Sequence, residues 1–209
     1  MIDHGYGVRL RAVERADLPQ LRKWRNDALI RDWSRQNDVI LEARHEAWFS
    51  GLHTNPATRV YSVISPKVDI LIGSCALTSV DYENRRAEFS IYIAPEAQGK
   101  WFGGKALKTL LHHAFHTLNL NCVWGETFEG NPAAKLFEKV GMTEEGTRRA
   151  FYYRDGKFVG ARLFSILRSD WDRLVSRRTQ AGIPKIETPA AGDDDFEPTV
   201  SGASDGIPI

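Results

Sequence analysis

A chain of 209 residues that is 42% hydrophobic and 26% charged has globular composition, with room for one ordinary domain and a real core. Its formal charge of +1 hides an uneven balance: residues 182–209 carry one lysine against six acids, a net −5 that leaves about +6 for the rest. Such a mildly basic body suits an anionic small ligand and is too weakly biased to argue for nucleic acid. Two cysteines, Cys75 and Cys122, exclude a disulfide framework or a thiolate metal site, and each sits in a strand-like run as a buried free thiol would. The first residues lack an apolar signal segment, and no run approaches the ~20 apolar residues of a membrane span, so a soluble cytoplasmic protein is expected.

In chain order, Val8, Leu10 and Ala12 alternate with Arg9 and Arg11 as a first strand. Asp17 then reads as the N-cap of a helix carrying Leu18, Leu21 and Trp24, which runs into Lys23-Trp24-Arg25-Asn26-Asp27. Trp24 suits the core, and Arg25 suits a carbonyl cap or an acidic partner. A second helix over residues 41–54 groups Ala47, Trp48, Gly51 and Leu52, with His45 and His53 beside them. Residues 59–65 and 70–80 read as strands joined by the turn Pro66-Lys67-Val68-Asp69. Short turns between successive strands imply antiparallel pairing.

Residues 87–118 read as strand, loop and helix. Phe89, Ile91 and Ile93 alternate with Glu88, Ser90 and Tyr92, and Pro95 removes a ladder donor and ends the strand. Further on, Ala106, Leu107, Leu110, Leu111, Ala114, Phe115 and Leu118 form one apolar helical stripe. Between them lies the glycine-rich turn Gln98-Gly99-Lys100-Trp101-Phe102-Gly103-Gly104-Lys105. The first turn of a helix offers unpaired N–H groups and the positive end of the dipole, and glycines admit a bulky anion, so a phosphate or pyrophosphate is the expected guest.

Two templates compete for that turn. Residues 99–105 satisfy G-x-x-x-x-G-K, which would make a phosphotransferase loop, but Ala106 stands where the magnesium-ligating hydroxyl belongs. The other template is Q/R-x-x-G-x-G/A, with Gln98, Trp101 and Gly103 in register, although Trp101 replaces its first glycine.

After the central helix, residues 121–128 read as a strand, Asn131-Pro132 opens a short helix, and Gly141 closes it as a C-cap. A last hairpin runs over residues 148–154 and 157–167 across Asp155-Gly156. His112 and His116 are at i, i+4, but no Glu is interposed and no third ligand is placed, so a solvent-facing helical edge and no metal are expected. From about residue 178 to 209 Gly, Pro, Ala, Ser, Thr and Asp dominate, and the reading is a domain over 1–177 followed by a flexible acidic tail.

The second template, together with Arg86-Ala87-Glu88-Phe89 before it and Leu136-Phe137-Glu138-Lys139-Val140-Gly141-Met142 after it, resembles the GNAT N-acetyltransferase superfamily. The likeness is to the branch of ribosomal-protein N-terminal, spermidine and amino-sugar acetyltransferases, and it spans residues 8–171. It implies a single α/β domain with a mixed, mostly antiparallel twisted sheet flanked by helices. It implies acetyl-CoA as donor and a primary amine, either a small molecule or a peptide, as acceptor: an amino sugar on a nucleotide carrier, a protein N-terminus or a polyamine. No metal, nucleic acid or membrane is implied, and the expected state is a monomer or homodimer.

Residue by residue, the resemblance assigns acetyl-CoA to Ile91, Tyr92, Ile93, Gln98, Gly99, Lys100, Trp101, Phe102, Gly103, Gly104, Lys105, Asn131 and Phe137. It places Trp24, Arg25, Trp33 and Trp48 on the acceptor side, with His45 nearby. Glu88 corresponds to a strand glutamate that takes the amine's proton, although a solvated residue or a partner of Arg85 or Arg86 is an equal reading. The family's acidic tyrosine falls on Phe137, which cannot donate a proton, leaving solvent, Tyr92, Tyr152 or Tyr153. A non-catalytic module that binds CoA or a partner protein is the rival of a different class.

Overall fold

The computed structural model describes residues 1–180, with side chains described through residue 177. Seven strands form one sheet: β1 (Arg9–Ala12), β2 (Arg59–Ser65), β3 (Ile70–Asp81), β4 (Arg86–Ile93), β5 (Cys122–Phe128), β6 (Thr143–Arg154) and β7 (Lys157–Leu167). Their order is β1-β2-β3-β4-β5-β7-β6, and every pairing is antiparallel except β4 with β5. The single parallel pair follows from the chain between them, because the long helix α4 (Phe102–His116) carries the backbone across as a crossover.

Helix α4 is the centre of the core. Its stripe Ala106, Leu107, Leu110, Leu111, Ala114 and Phe115 is wholly buried, and each large apolar side chain so buried contributes about 1.5–3 kcal/mol. Helices α1 (Leu18–Asn26), α2 (Ala28–Arg31), α3 (Glu42–Leu52) and α5 (Ala133–Val140) complete the domain, and Trp24 of α1 lies in the same core cluster. The expected mixed, mostly antiparallel α/β domain is present. Among the described residues no helix is long and apolar enough to cross a membrane.

Two expectations about single residues are corrected. Asp17 does not cap α1 with its side chain. Its carboxylate, 6% exposed, accepts two hydrogen bonds from Arg11 at 2.7 Å, one from the Ser62 hydroxyl at 2.7 Å and one from the Glu14 amide at 2.9 Å. Burial alone would raise its pKa, and these donors outweigh burial and lower it. Cys122 is half-buried rather than buried, unlike Cys75. The chain after β7 forms a further helix, α6 (Arg168–Gln180), whose Trp171 is buried and whose Leu174 and Val175 lie against the core. The expected tail lies outside the described residues except for 178–180, which continue α6.

Of the histidines of α4, His116 faces solvent, while His112 is half-buried and His113 is buried. His112 stacks on His4 with ring centroids 4.1 Å apart, His113 is buried with Nε2 3.1 Å from the Tyr61 hydroxyl, and His116 Nε2 lies 3.3 Å from Asp172. Among the described residues no group of three or more His, Cys, Asp or Glu could hold a metal. Burial lowers the His113 pKa to about 4, with His4 and Arg59 adding to the effect. Between pH 6.5 and about 4 the unfolded chain therefore binds a proton that the folded chain refuses, so stability falls as pH falls through that window. Denaturant unfolding at pH 7 and pH 5 should show this loss, and it should be smaller in His113→Gln.

Candidate active site

The one parallel pairing is short. β4 and β5 are in register only across Arg86/Cys122, Ala87/Val123 and Glu88/Trp124. Beyond that point β4 keeps only β3, and β5 keeps only β7. Where the strands part, an aromatic cluster packs over the sheet face. The Phe89 ring lies over Gly125, where an added Cβ would come within 2.5 Å of it. Behind it, Phe137 of α5 meets Phe89 edge to face at 5.0 Å and Phe164 of β7 at 5.5 Å. These rings fill the base of the fork. On the β5 side, half the backbone donors and acceptors of residues 89–93 have no strand partner, which leaves an open edge inside the domain.

That edge leads straight to the N-terminus of α4. Gln98 Nε2 donates to the Ile93 carbonyl at 3.1 Å, and a Cβ on Gly103 would lie 2.9 Å from Leu136 and 3.6 Å from Ile93. Trp101 occupies the N-cap position with φ +61. The first i to i−4 bond of the helix is Lys105 N–H to the Trp101 carbonyl, at 3.1 Å, so the amides of Phe102, Gly103 and Gly104 are free of that ladder. The indole of Trp101 folds back along the helix side, 2.4 Å from where a Gly104 Cβ would stand, with the ammoniums of Lys108 and Lys139 each 5.9 Å from the ring. Its bulk therefore flanks the first turn.

Several assigned residues serve otherwise. Lys105 is 4% exposed and its side chain runs along Gly7, with Nζ 5.0 Å over the Phe102 ring, so it lends the loop no exposed charge. Phe137 belongs to the buried cluster and not to a cofactor surface. Asn131 Oδ1 accepts from the Ala133 amide at 2.9 Å, capping the start of α5. Trp24 is core and donates Nε1–H to Glu96 at 3.0 Å. Trp33 and Trp48 are half-exposed; Trp48 stacks on the buried His45 at 4.9 Å, and no described contact carries either tryptophan to the fork. Arg25 does reach it, lying 5.8 Å over the Tyr92 ring and bonded to the Ser34 hydroxyl.

Glu88 is the last residue of β4 paired with β5, and its side chain is 9% exposed. Arg35, from the loop after α2, places Nη2 2.6 Å from Glu88 and Nη1 3.4 Å from Glu126 of β5. Glu126, 4% exposed at its side chain, also receives Arg148 Nη1 at 3.0 Å and the Tyr152 hydroxyl, both from β6. The sequence reading missed Glu126, Arg35 and Arg148. The signal available was alternation: Trp124, Glu126 and Phe128 share a strand face, just as Glu88, Ser90 and Tyr92 do. Nothing in the sequence shows that these two faces adjoin. Burial, then the Glu126 hydrogen bond, raises the Tyr152 pKa, so its hydroxyl keeps its proton at neutral pH. Burial also raises Tyr92.

A family model described as an acetyltransferase (GNAT) domain matches residues 8–143. The chain belongs to the GNAT family. A spermidine N(1)-acetyltransferase of Vibrio cholerae is 31% identical over 164 residues, covering 78% of this chain and 94% of its own length. A spermidine N(1)-acetyltransferase of Escherichia coli is 27% identical over 159 residues, covering 75% and 83%. The crystal structure of the Vibrio cholerae spermidine enzyme in complex with CoA and spermine superposes with a TM-score of 0.75 at 30% identity, covering 79% of this chain and 98% of that one.

This GNAT chain is an acetyl-CoA-dependent N-acetyltransferase. The residues present fit that donor, since three helix-end amides suit a pyrophosphate and the open β4 edge can pair with an amide-bearing arm. When bound, acetyl-CoA supplies a thioester carbonyl and a thiolate leaving group. The aromatic cluster makes its own prediction. Gly125→Ala should cost about 1–3 kcal/mol in denaturant unfolding, because the Phe89 ring must move.

Proposed function

We propose that this GNAT enzyme acetylates a primary amine by direct attack within a ternary complex, with Glu88 receiving the amine's proton. The observation that carries this reading is the position of Glu88, a largely buried carboxylate at the point where β4 and β5 part. An aliphatic amine with a solution pKa of roughly 10.4 must lose a proton before it can attack, and a placed base contributes typically about 10²–10⁴ in rate. The departing thiolate, with an ordinary thiol pKa near 8.5, needs a proton less urgently. Phe137 cannot give one, and Tyr152, whose hydroxyl is bonded to Glu126, is the candidate we place ahead of Tyr92, Tyr153 or solvent. Neither cysteine suggests a covalent route: Cys75 is buried, with its thiol pushed up by burial, and Cys122 is likewise raised.

The acceptor classes are those expected from the sequence, namely a polyamine, as in the spermidine relatives, an amino sugar on a nucleotide carrier, or a protein N-terminus. The phosphotransferase reading loses its support, because Ala106 is buried and the Lys105 side chain runs to Gly7. The binding-module reading predicts acetyl-CoA binding without turnover. A test that separates them measures thiol release from acetyl-CoA over a panel of primary amines for wild type and Glu88→Gln. Turnover by wild type, a fall in kcat of about 10²–10⁴ in the variant, and an unchanged Kd for acetyl-CoA are expected. Binding by both proteins without turnover on any amine would favour the module.

A further inference from the structure

The charges on the acceptor side of the fork do not cancel. Arg35 and Arg148 are spent on Glu88 and Glu126. Two further guanidiniums on that face have no such partner. Arg25 of α1 donates Nη1–H to the Ser34 hydroxyl and lies 5.8 Å over Tyr92. Arg154, at the end of β6, donates Nη2–H to the Ser34 carbonyl and lies 4.8 Å over Phe128. Among the described residues neither faces a carboxylate. The six groups therefore sum to +2, four guanidiniums against two carboxylates.

Placement matters as much as charge. Tyr92 and Phe128 stand on the two arms of the fork, beyond Glu88 and Glu126 respectively. Four residues of strand put Tyr92 about 13 Å outward from Glu88 along β4. Arg25 and Arg154 come from opposite ends of the chain and meet at one serine at the outer end of the cleft, while the carboxylates lie at its inner end. Each guanidinium carries five donors, and the described hydrogen bonds use one apiece. Arg25 is half-buried, and burial lowers its pKa with only Tyr92 opposing. Keeping a desolvated cation without an acid is costly unless an anion visits it. A polycation would meet like charge there.

Resting on the acetyltransferase reading above, we infer that Arg25 and Arg154 form an anion subsite around Ser34. The acceptor of this chain is then a primary amine that also bears a phosphate or a carboxylate, with its amine at Glu88 and its anion at the outer end of the fork. This departs from spermidine, the substrate named for the relatives, which carries no anion.

The test is steady-state acetylation by the full chain at saturating acetyl-CoA, using matched amines that differ only in the anion. 8-Aminooctan-1-ol against its phosphate monoester probes phosphate, a tetrapeptide amide against the free tetrapeptide acid, which spans about 13 Å when extended, probes carboxylate, and spermidine is the polycation. At least one anionic member should exceed its neutral partner in kcat/KM by about tenfold or more, and the arm that responds identifies the anion. In Arg25→Gln and in Arg154→Gln that ratio should fall towards one; the second variant stands in should the first fail to fold. Equal rates within both pairs, or a preference for spermidine, would overturn the inference and leave the acetyltransferase reading intact. Acetyl-CoA binding with no turnover on any amine would remove both. A ratio unmoved by either substitution would make the two arginines structural supports of the loop that carries Ser34 and would overturn the subsite.

Discussion

The functional geometry of this chain depends on one constraint, the early end of the β4–β5 ladder, where the Phe89 ring lies over Gly125. A parallel pair flanked by antiparallel neighbours could run the whole length of both strands, but this one ends after three residue pairs, where the ring over Gly125 is backed by Phe137 and Phe164. Each strand keeps its outer neighbour, so the sheet survives as one body while an unpaired edge opens in its interior. An open edge inside a domain is ordinarily a liability. Here it runs into the N-terminus of α4, which has three unpaired amides of its own. The two features form one continuous polar track, and Glu88 stands at its inner end.

The same cluster explains why the tyrosine expected at position 137 can be absent. A phenylalanine there is pure packing, 5% exposed between two other rings, and a hydroxyl in that place would need a partner that the aromatic cluster does not offer. The polar network lies on the opposite face, where Tyr152, Glu126 and Glu88 are linked through Arg35 and Arg148. That network binds four separate segments: β4, β5, the loop after α2 and β6. The acceptor side is thus assembled from long-range contacts, whereas the donor side is almost wholly local.

This difference sets what the sequence could show. The donor side is one stretch, residues 87–118, and its alternation, proline stop, glycine turn and apolar stripe read directly as strand, loop and helix. Glu88 was legible there as a candidate from its strand position and family likeness. Trp101 was legible as a problem, though only coordinates show that the indole folds back along the helix side. On the acceptor side periodicity failed. The resemblance placed Trp24, Arg25, Trp33 and Trp48 there, yet beside Arg25 the fork takes its charge from Arg35, Arg148 and Arg154, whose meeting depends on where a hairpin and a loop fold back. Helix α6 was overlooked because its charged residues masked the Trp171, Leu174 and Val175 spacing. The burial of His112 and His113 is not legible in sequence because their cover comes from the N-terminal segment and from Tyr61, remote in sequence.

Amide hydrogen exchange with and without acetyl-CoA tests the central claim most directly, since that claim concerns which backbone donors are unpaired and what takes them. The account predicts that acetyl-CoA slows exchange in residues 89–93 and at Phe102, Gly103 and Gly104, while the ladders of β1 and β2 are unchanged. Protection confined to other segments, with these amides exchanging at the rate of the unliganded protein, would contradict it.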